Sequence, residues 1–151
     1  MNGWLLDTNV IASLSAANGA PSVMAWAAGQ DERRMFISIL TLAEYDKGVH
    51  QLAETNPSRA RYAAARDAIA VRFGARVLPL TNAVVLRWGA LAGRIRRGTG
   101  QPPSVVDTLL AATAVEAGLY FVTRNTKDVR HCGAAVFNPW EDDPGKFPLL
   151  G

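Results

Sequence analysis

Four acidic residues stand out by their positions: Asp7, Glu44, Asp107 and Asp128. Carboxylates gathered in one place offer hard oxygen ligands to Mg²⁺ or Mn²⁺. Such an ion neutralises phosphate charge, orients an attacking water and lowers its pKa; one or two ions so held serve in-line attack on a phosphodiester. Four unpaired carboxylates in one pocket would repel one another, which itself argues for a cation among them. Each acid also has a plainer reading. Thr41-Leu42-Ala43-Glu44, Ser104-Val105-Val106-Asp107 and Asn125-Thr126-Lys127-Asp128 resemble capping boxes or close variants, and Asp7 suits a turn or a cap. Taken singly, each acid is more often a cap. The two roles coexist, since acids are favourable beside helix N-termini.

The elements that must position these acids follow from the apolar pattern. Trp4-Leu5-Leu6 reads as a buried strand ending at Asp7, followed by short helices over 10–16 and 23–28. Met35 to Ile39 reads as a second strand, with a helix over 41–54 that places Glu44 in its first turn. After the Asn56-Pro57 break, the alanine-rich stretch 58–73 favours helix, and Gly74 ends it. Val77 to Leu80 reads as a third strand whose Pro79 puts it near an edge. A helix over 82–97, a Gly/Pro loop, and an apolar helix over 104–116 follow, with Asp107 in the first turn of the latter. Leu119 to Thr123 and Ala134 to Phe137 read as the last two strands, with Asp128 between them. The tail from 138 to 151 is rich in proline and acid and reads as a surface wrap. Alternating strands and helices predict one α/β domain with a mainly parallel sheet. In such a sheet ligands bind at the carboxyl edge, where these acids can converge.

Composition sets the outer bounds. The 151 residues are 49% hydrophobic, enough for one domain with a core. No apolar run approaches the length of a membrane span, and the N-terminal stretch lacks the pattern of a secretory signal. The single cysteine, Cys132, forms no internal disulfide, which with the rest suits a reducing cytoplasm. The net charge of +3 becomes more telling if several acids share one cluster, because the remaining surface is then strongly basic.

Five segments, in order and spanning nearly the whole chain, resemble the PIN-domain nucleases, especially VapC-type and FitB-like toxins. They are Leu5 to Val10, Ile37 to Glu44, Val106 to Ala114, Phe121 to Asp128 and Val136 to Trp140. The resemblance implies a Rossmann-like three-layer fold with about five strands. It implies Mg²⁺- or Mn²⁺-dependent RNA cleavage as the toxin half of a toxin–antitoxin pair. It puts Asp7 and Asp107 on the family's principal metal-binding positions. Glu44 and Asp128 would complete the shell or hold its water, and Thr123 and Asn125 would support the pocket. It further implies a homodimer and a cognate antitoxin that lays a segment across the toxin. The chain departs from the family at Val129, where an aromatic commonly follows the fourth acid, which bears on the placement of Asp128.

Other residues weigh less. Thr8 and Asn9 read as mainly structural, and Asp46 as a solvated side chain facing away from Glu44. Arg94 and Arg97 share a helix face and are candidates for RNA phosphate contact, against the plainer reading of a positive helix C-terminus. His50 and His131 form no metal-type pair, Cys132 reads as a small core filler, and Trp26 and Trp88 as core or dimer contacts. A dinucleotide-binding strand end would carry G-x-G-x-x-G where Asp7-Thr8-Asn9-Val10 stands, and no P-loop motif occurs. A haloacid-dehalogenase-like phosphatase would place a second acid where Asn9 is. The rival from another class is a non-catalytic PIN-like module that binds RNA or protein. Retention of all four acids argues against it, and metal-dependent turnover separates the two.

Overall fold

A computed structural model describes all residues from Met1 to Gly151. Five strands form one sheet in the order β3-β2-β1-β4-β5, every neighbouring pair parallel. They are β1 (Trp4–Leu6), β2 (Met35–Ser38), β3 (Val77–Leu78), β4 (Tyr120–Val122) and β5 (Val136–Phe137). Seven α-helices connect and follow them: α1 (Thr8–Ser15), α2 (Pro21–Ala28), α3 (Ile39–Gln51), α4 (Pro57–Phe73), α5 (Asn82–Thr99), α6 (Val105–Ala117) and α7 (Thr126–Val129). The chain first builds outward from β1 through β2 to β3, then returns to the other side of β1 with β4 and β5. The order therefore reverses between β1 and β4, and the crevice beyond their carboxyl ends is where such sheets bind ligands. No helix is long and apolar enough to cross a membrane.

The period-2 alternation of a strand sends neighbours to opposite faces, and β1 shows the consequence. Trp4 and Leu6 enter one core with Val10, Val23, Trp26, Ile37 and Phe73, under α1, α2 and α4. Leu5 enters the other with Leu91, Leu110, Ala114, Phe121 and Val129, under α5, α6 and α7. The three layers follow from these two apolar faces. Glycine ends α6: Gly118 takes φ 66° and its N–H reaches back to Ala114, a left-handed stop that L side chains resist. Gly48 serves packing instead, since a Cβ there would stand 3.2 Å from the Tyr62 ring of α4.

Several local expectations need correction. Helix α3 starts at Ile39, not Thr41, because the Ser38 hydroxyl accepts from the Leu40 N–H at 3.1 Å and makes Ser38 the cap. Thr41 is fully buried rather than capping, and Glu44 moves from the first turn to the second. The capping-box pattern of Asn125 to Asp128 does mark a helix start, since α7 begins at Thr126, but Asn125 makes no side-chain cap bond. The third strand stops at Leu78, at the sheet edge that Pro79 suggested. Asp46 is not merely solvated: it pairs with Arg66 and joins α3 to α4.

The C-terminal segment lies along the molecule. Phe147 packs at a tilt against Phe137, ring centroids 4.8 Å apart, and meets Tyr120 edge-on at 5.4 Å. The Tyr120 hydroxyl donates to the Pro148 carbonyl at 3.0 Å, and the Leu150 N–H to the Met1 carbonyl at 2.9 Å. Phe137 is thus the centre of an aromatic group with Trp4, Trp26 and Phe147. Phe137→Ala should destabilise the protein by about 3–5 kcal/mol, read by urea denaturation. A loss under about 1 kcal/mol would contradict this packing.

Candidate functional site

Asp7 emerges directly from β1 and caps α1. Its Oδ1 accepts the Thr8 N–H at 2.7 Å. The partner strand supplies the rest: Leu6 pairs with Val122, so the next residues, Asp7 and Thr123, lie side by side past the sheet's edge. The Thr123 hydroxyl donates to Asp7 Oδ2 at 2.7 Å, and the Asn9 amide to the same oxygen at 3.2 Å. Asn9 also donates to Thr123 Oγ1 at 3.3 Å, while its own oxygen accepts the Arg124 N–H at 3.3 Å. The Asn125 N–H closes the set on Thr123 Oγ1 at 3.1 Å. The Asp7 carboxylate is only 6% exposed and has no cationic partner within 4.0 Å.

A cleft of about 610 Å³ opens over this edge, lined by Asp7, Thr8, Asn9, Glu44, Lys47 and Asp107 among others. Three of the four predicted acids therefore share one space. Glu44 arrives on α3, and Asp107 on the first turn of α6, where Ser104 caps its N–H at 3.3 Å. Asn125 lines the cleft as well, through the loop after β4. The fourth acid, Asp128, is exposed on α7 and does not line the cleft, although its charge is felt at Asp107. Val129 fills its site fully, 1% exposed in the core beneath α7, so α7 is seated without the expected aromatic.

The electrostatics are those of crowded acids. Burial pushes Asp7 above the usual carboxylate range, against the pull of the Thr123, Thr8 and Asn9 hydrogen bonds. Glu44 is raised by burial and then by repulsion from Asp7; the Thr8 hydroxyl, and more weakly the Lys47 ammonium, work the other way. Asp107 is raised by burial, then by Asp7 and, more weakly, Asp128, with the Ser104 hydroxyl opposing. Even the buried Cys132 thiol, pushed to about 11 mainly by desolvation, feels Asp107. Such mutual repulsion is what a divalent cation relieves.

The donor set is all oxygen, as Mg²⁺ and Mn²⁺ prefer. No three of the carboxylates converge into a ready-made cage. That suits Mg²⁺, which keeps several waters and takes one or two carboxylates. Asp7, Glu44 and Asp107, coupled to one another across the cleft, are the carboxylates that could hold such an ion.

Other sequence candidates fall elsewhere. Arg94 lines a separate groove with His131, and neither Arg94 nor Arg97 reaches the acid cleft. Trp26 is core, and Trp88 donates from α5 to the Thr108 hydroxyl of α6 at 2.8 Å. Sequence reasoning undervalued Asn9 and passed over Lys47 and Gln51. Asn9 is a polar residue in the opening turn of the helix that follows Asp7, and Lys47 and Gln51 follow Glu44 at helical spacing. Those signals were available.

The family whose sequence pattern this chain matches is the PIN domain family. That family matches residues 4–133, and the chain belongs to it. The chain is 30% identical over 141 residues to toxin FitB of Neisseria gonorrhoeae, covering 91% of this chain and 99% of FitB. It is 31% identical over 144 residues to VapC ribonuclease Y4jK of Sinorhizobium fredii, covering 91% and 97% of the two chains. The solved structure of FitAcB from Neisseria gonorrhoeae superposes with a TM-score of 0.77 at 29% identity, over 91% of this chain and 98% of that one.

The raised carboxylates carry a stability prediction. Asp7, Glu44 and Asp107 ionise less readily folded than unfolded. The stability they contribute is fully present below their unfolded pKa values and is lost as pH rises through the folded ones. Asp107→Asn removes one such charge. In EDTA at neutral pH its thermal midpoint should exceed that of the wild type by about 2 °C, the gap closing as the pH falls to where Asp107 protonates. A variant less stable than wild type at neutral pH would contradict the repulsion.

Proposed function

We propose that this chain is a metal-dependent endoribonuclease and the toxin of a toxin–antitoxin pair. The observation that carries the reading is Asp7: a nearly buried carboxylate, fixed by three donors, facing a cleft shared with Glu44 and Asp107. Its relatives' names agree in class, one a VapC ribonuclease and one a toxin.

Asp7 and Asp107 would hold a Mg²⁺ or Mn²⁺ ion. When bound, such an ion supplies a Lewis acid that offsets phosphate charge and makes water a better nucleophile. The chain's own groups do the remainder. Thr123 and Asn9 orient the Asp7 carboxylate so that one oxygen is held within the network. Glu44, which lines the same cleft, would orient the attacking water and accept its proton. Asp128, outside the cleft but felt at Asp107, would assist through its charge, and Asn125 would support the cleft wall. Arg94 and Arg97, on α5, would contact RNA phosphates away from the point of cleavage.

The chain would act in the cytoplasm, as a homodimer, restrained by a cognate antitoxin. Support for that partner comes from the complexes in which its structural neighbours are found, among them FitAB bound to a DNA fragment.

The test is cleavage of a mixed cellular RNA pool by antitoxin-free protein, with Mg²⁺ or Mn²⁺ and with EDTA. EDTA, Asp7→Ala and Asp107→Ala should each abolish cleavage while circular dichroism stays unchanged. Thr123→Val, which removes the hydroxyl that donates to Asp7 and accepts from Asn9 and Asn125, should lower activity by roughly 10–100-fold. Folded Asp7→Ala or Asp107→Ala protein with full activity would sink the site assignment. No cleavage by folded wild-type protein with either ion would favour the non-catalytic binding module.

A further inference from the structure

The side of α3 that faces the cleft presents Glu44, Lys47, Gly48 and Gln51. These positions recur at i, i+3, i+4 and i+7, a single helical stripe. Lys47 is the only cation among the residues lining the cleft, opposite three carboxylates. It is exposed and forms no salt bridge with any of them within 4.0 Å. Its pull on Glu44 is weaker than the push from Asp7. A lysine serving as the acids' counterion would sit closed upon one of them. This one keeps its three N–H donors free at the mouth of an acidic cleft.

A phosphodiester strand entering such a cleft meets repulsion from every carboxylate in it. A metal ion answers that at one phosphate only. Lys47 stands three residues beyond Glu44, about 4.5 Å further along the helix axis, on a stem long enough to reach a neighbouring phosphate. Gln51 continues the stripe with a neutral amide.

We propose that Lys47 is an RNA-positioning residue, which binds the phosphate adjacent to the one at the acids and sets the path of the strand along α3. The inference rests on the nuclease reading for its substrate but concerns binding, not hydrolysis. Lysine contacts to phosphate are independent of base sequence and fall with salt in a countable way.

The experiment measures binding of a short fluorescein-labelled single-stranded RNA of mixed sequence by polarisation in EDTA, across a series of KCl concentrations. The full chain carries Asp7→Asn throughout, so that no cleavage intervenes. Adding Lys47→Gln should weaken binding roughly tenfold, as loss of a charge-assisted hydrogen bond does. The slope of log affinity against log salt should become shallower by about 0.7. Lys47→Arg should keep both. An unchanged affinity and slope in folded Lys47→Gln protein overturns the proposal. So does a lowered thermal midpoint with an unchanged slope, which makes Lys47 a counterion of the acids. Lys47-dependent binding by a chain whose wild type cleaves no RNA would keep this inference and remove the hydrolytic one.

Discussion

The hydrogen bond from the Thr123 hydroxyl to the Asp7 carboxylate is the constraint around which this molecule is arranged. It joins the ends of β1 and β4, the two strands between which the sheet reverses its order. The parallel register of Leu6 with Val122 makes the bond unavoidable, because the next residue on each strand is one of its partners. The same carboxylate caps α1, so the first helix, the central strand and the floor of the cleft share one anchoring group. Burying a charged carboxylate is costly unless its oxygens are satisfied. Here hydroxyl, amide and backbone donors satisfy them, yet no cation neutralises the charge.

That residual charge organises the rest of the site. Burial, and after it repulsion from Asp7, raises Glu44 and Asp107, and each reaches the cleft on a different helix packed against the sheet. The structure thus holds several like charges at close quarters in a protein whose net charge is +3. An arrangement of this kind lowers the stability of the metal-free chain and raises its affinity for a hard divalent ion. Lys47 at the cleft mouth answers a different need, the entry of a polyanion past those acids.

Much of this was legible in the sequence because the signals were strong and local. Trp4-Leu5-Leu6, Phe36-Ile37 and Phe121-Val122 are apolar runs that only a doubly covered strand explains, and an acid at the end of the first points to the carboxyl edge. Membership of the PIN domain family follows from segments distributed along the whole chain. The failures are equally physical. Ser38 and Thr41 both suit a helix cap, and only the buried environment of Thr41 decides between them. Helix α7 is a single turn, marked by its capping-box pattern but too short for periodicity to register. Arg94 and Arg97 lie on a predicted helix, but which way that helix faces relative to the acids depends on packing far away in sequence. Lys47 shared a helix face with Glu44 all along, and its significance appears only when the opposing acids of β1 and α6 are in place.

The central claim is that the Asp7 cluster is built to be completed by a divalent cation. Calorimetric titration of the EDTA-stripped protein with Mn²⁺ tests it most directly. The account predicts saturable binding that releases protons as the pH is lowered toward the raised carboxylate values, and that disappears in Asp7→Asn. Equal Mn²⁺ affinity in wild-type and Asp7→Asn protein, or no binding by either, would contradict it.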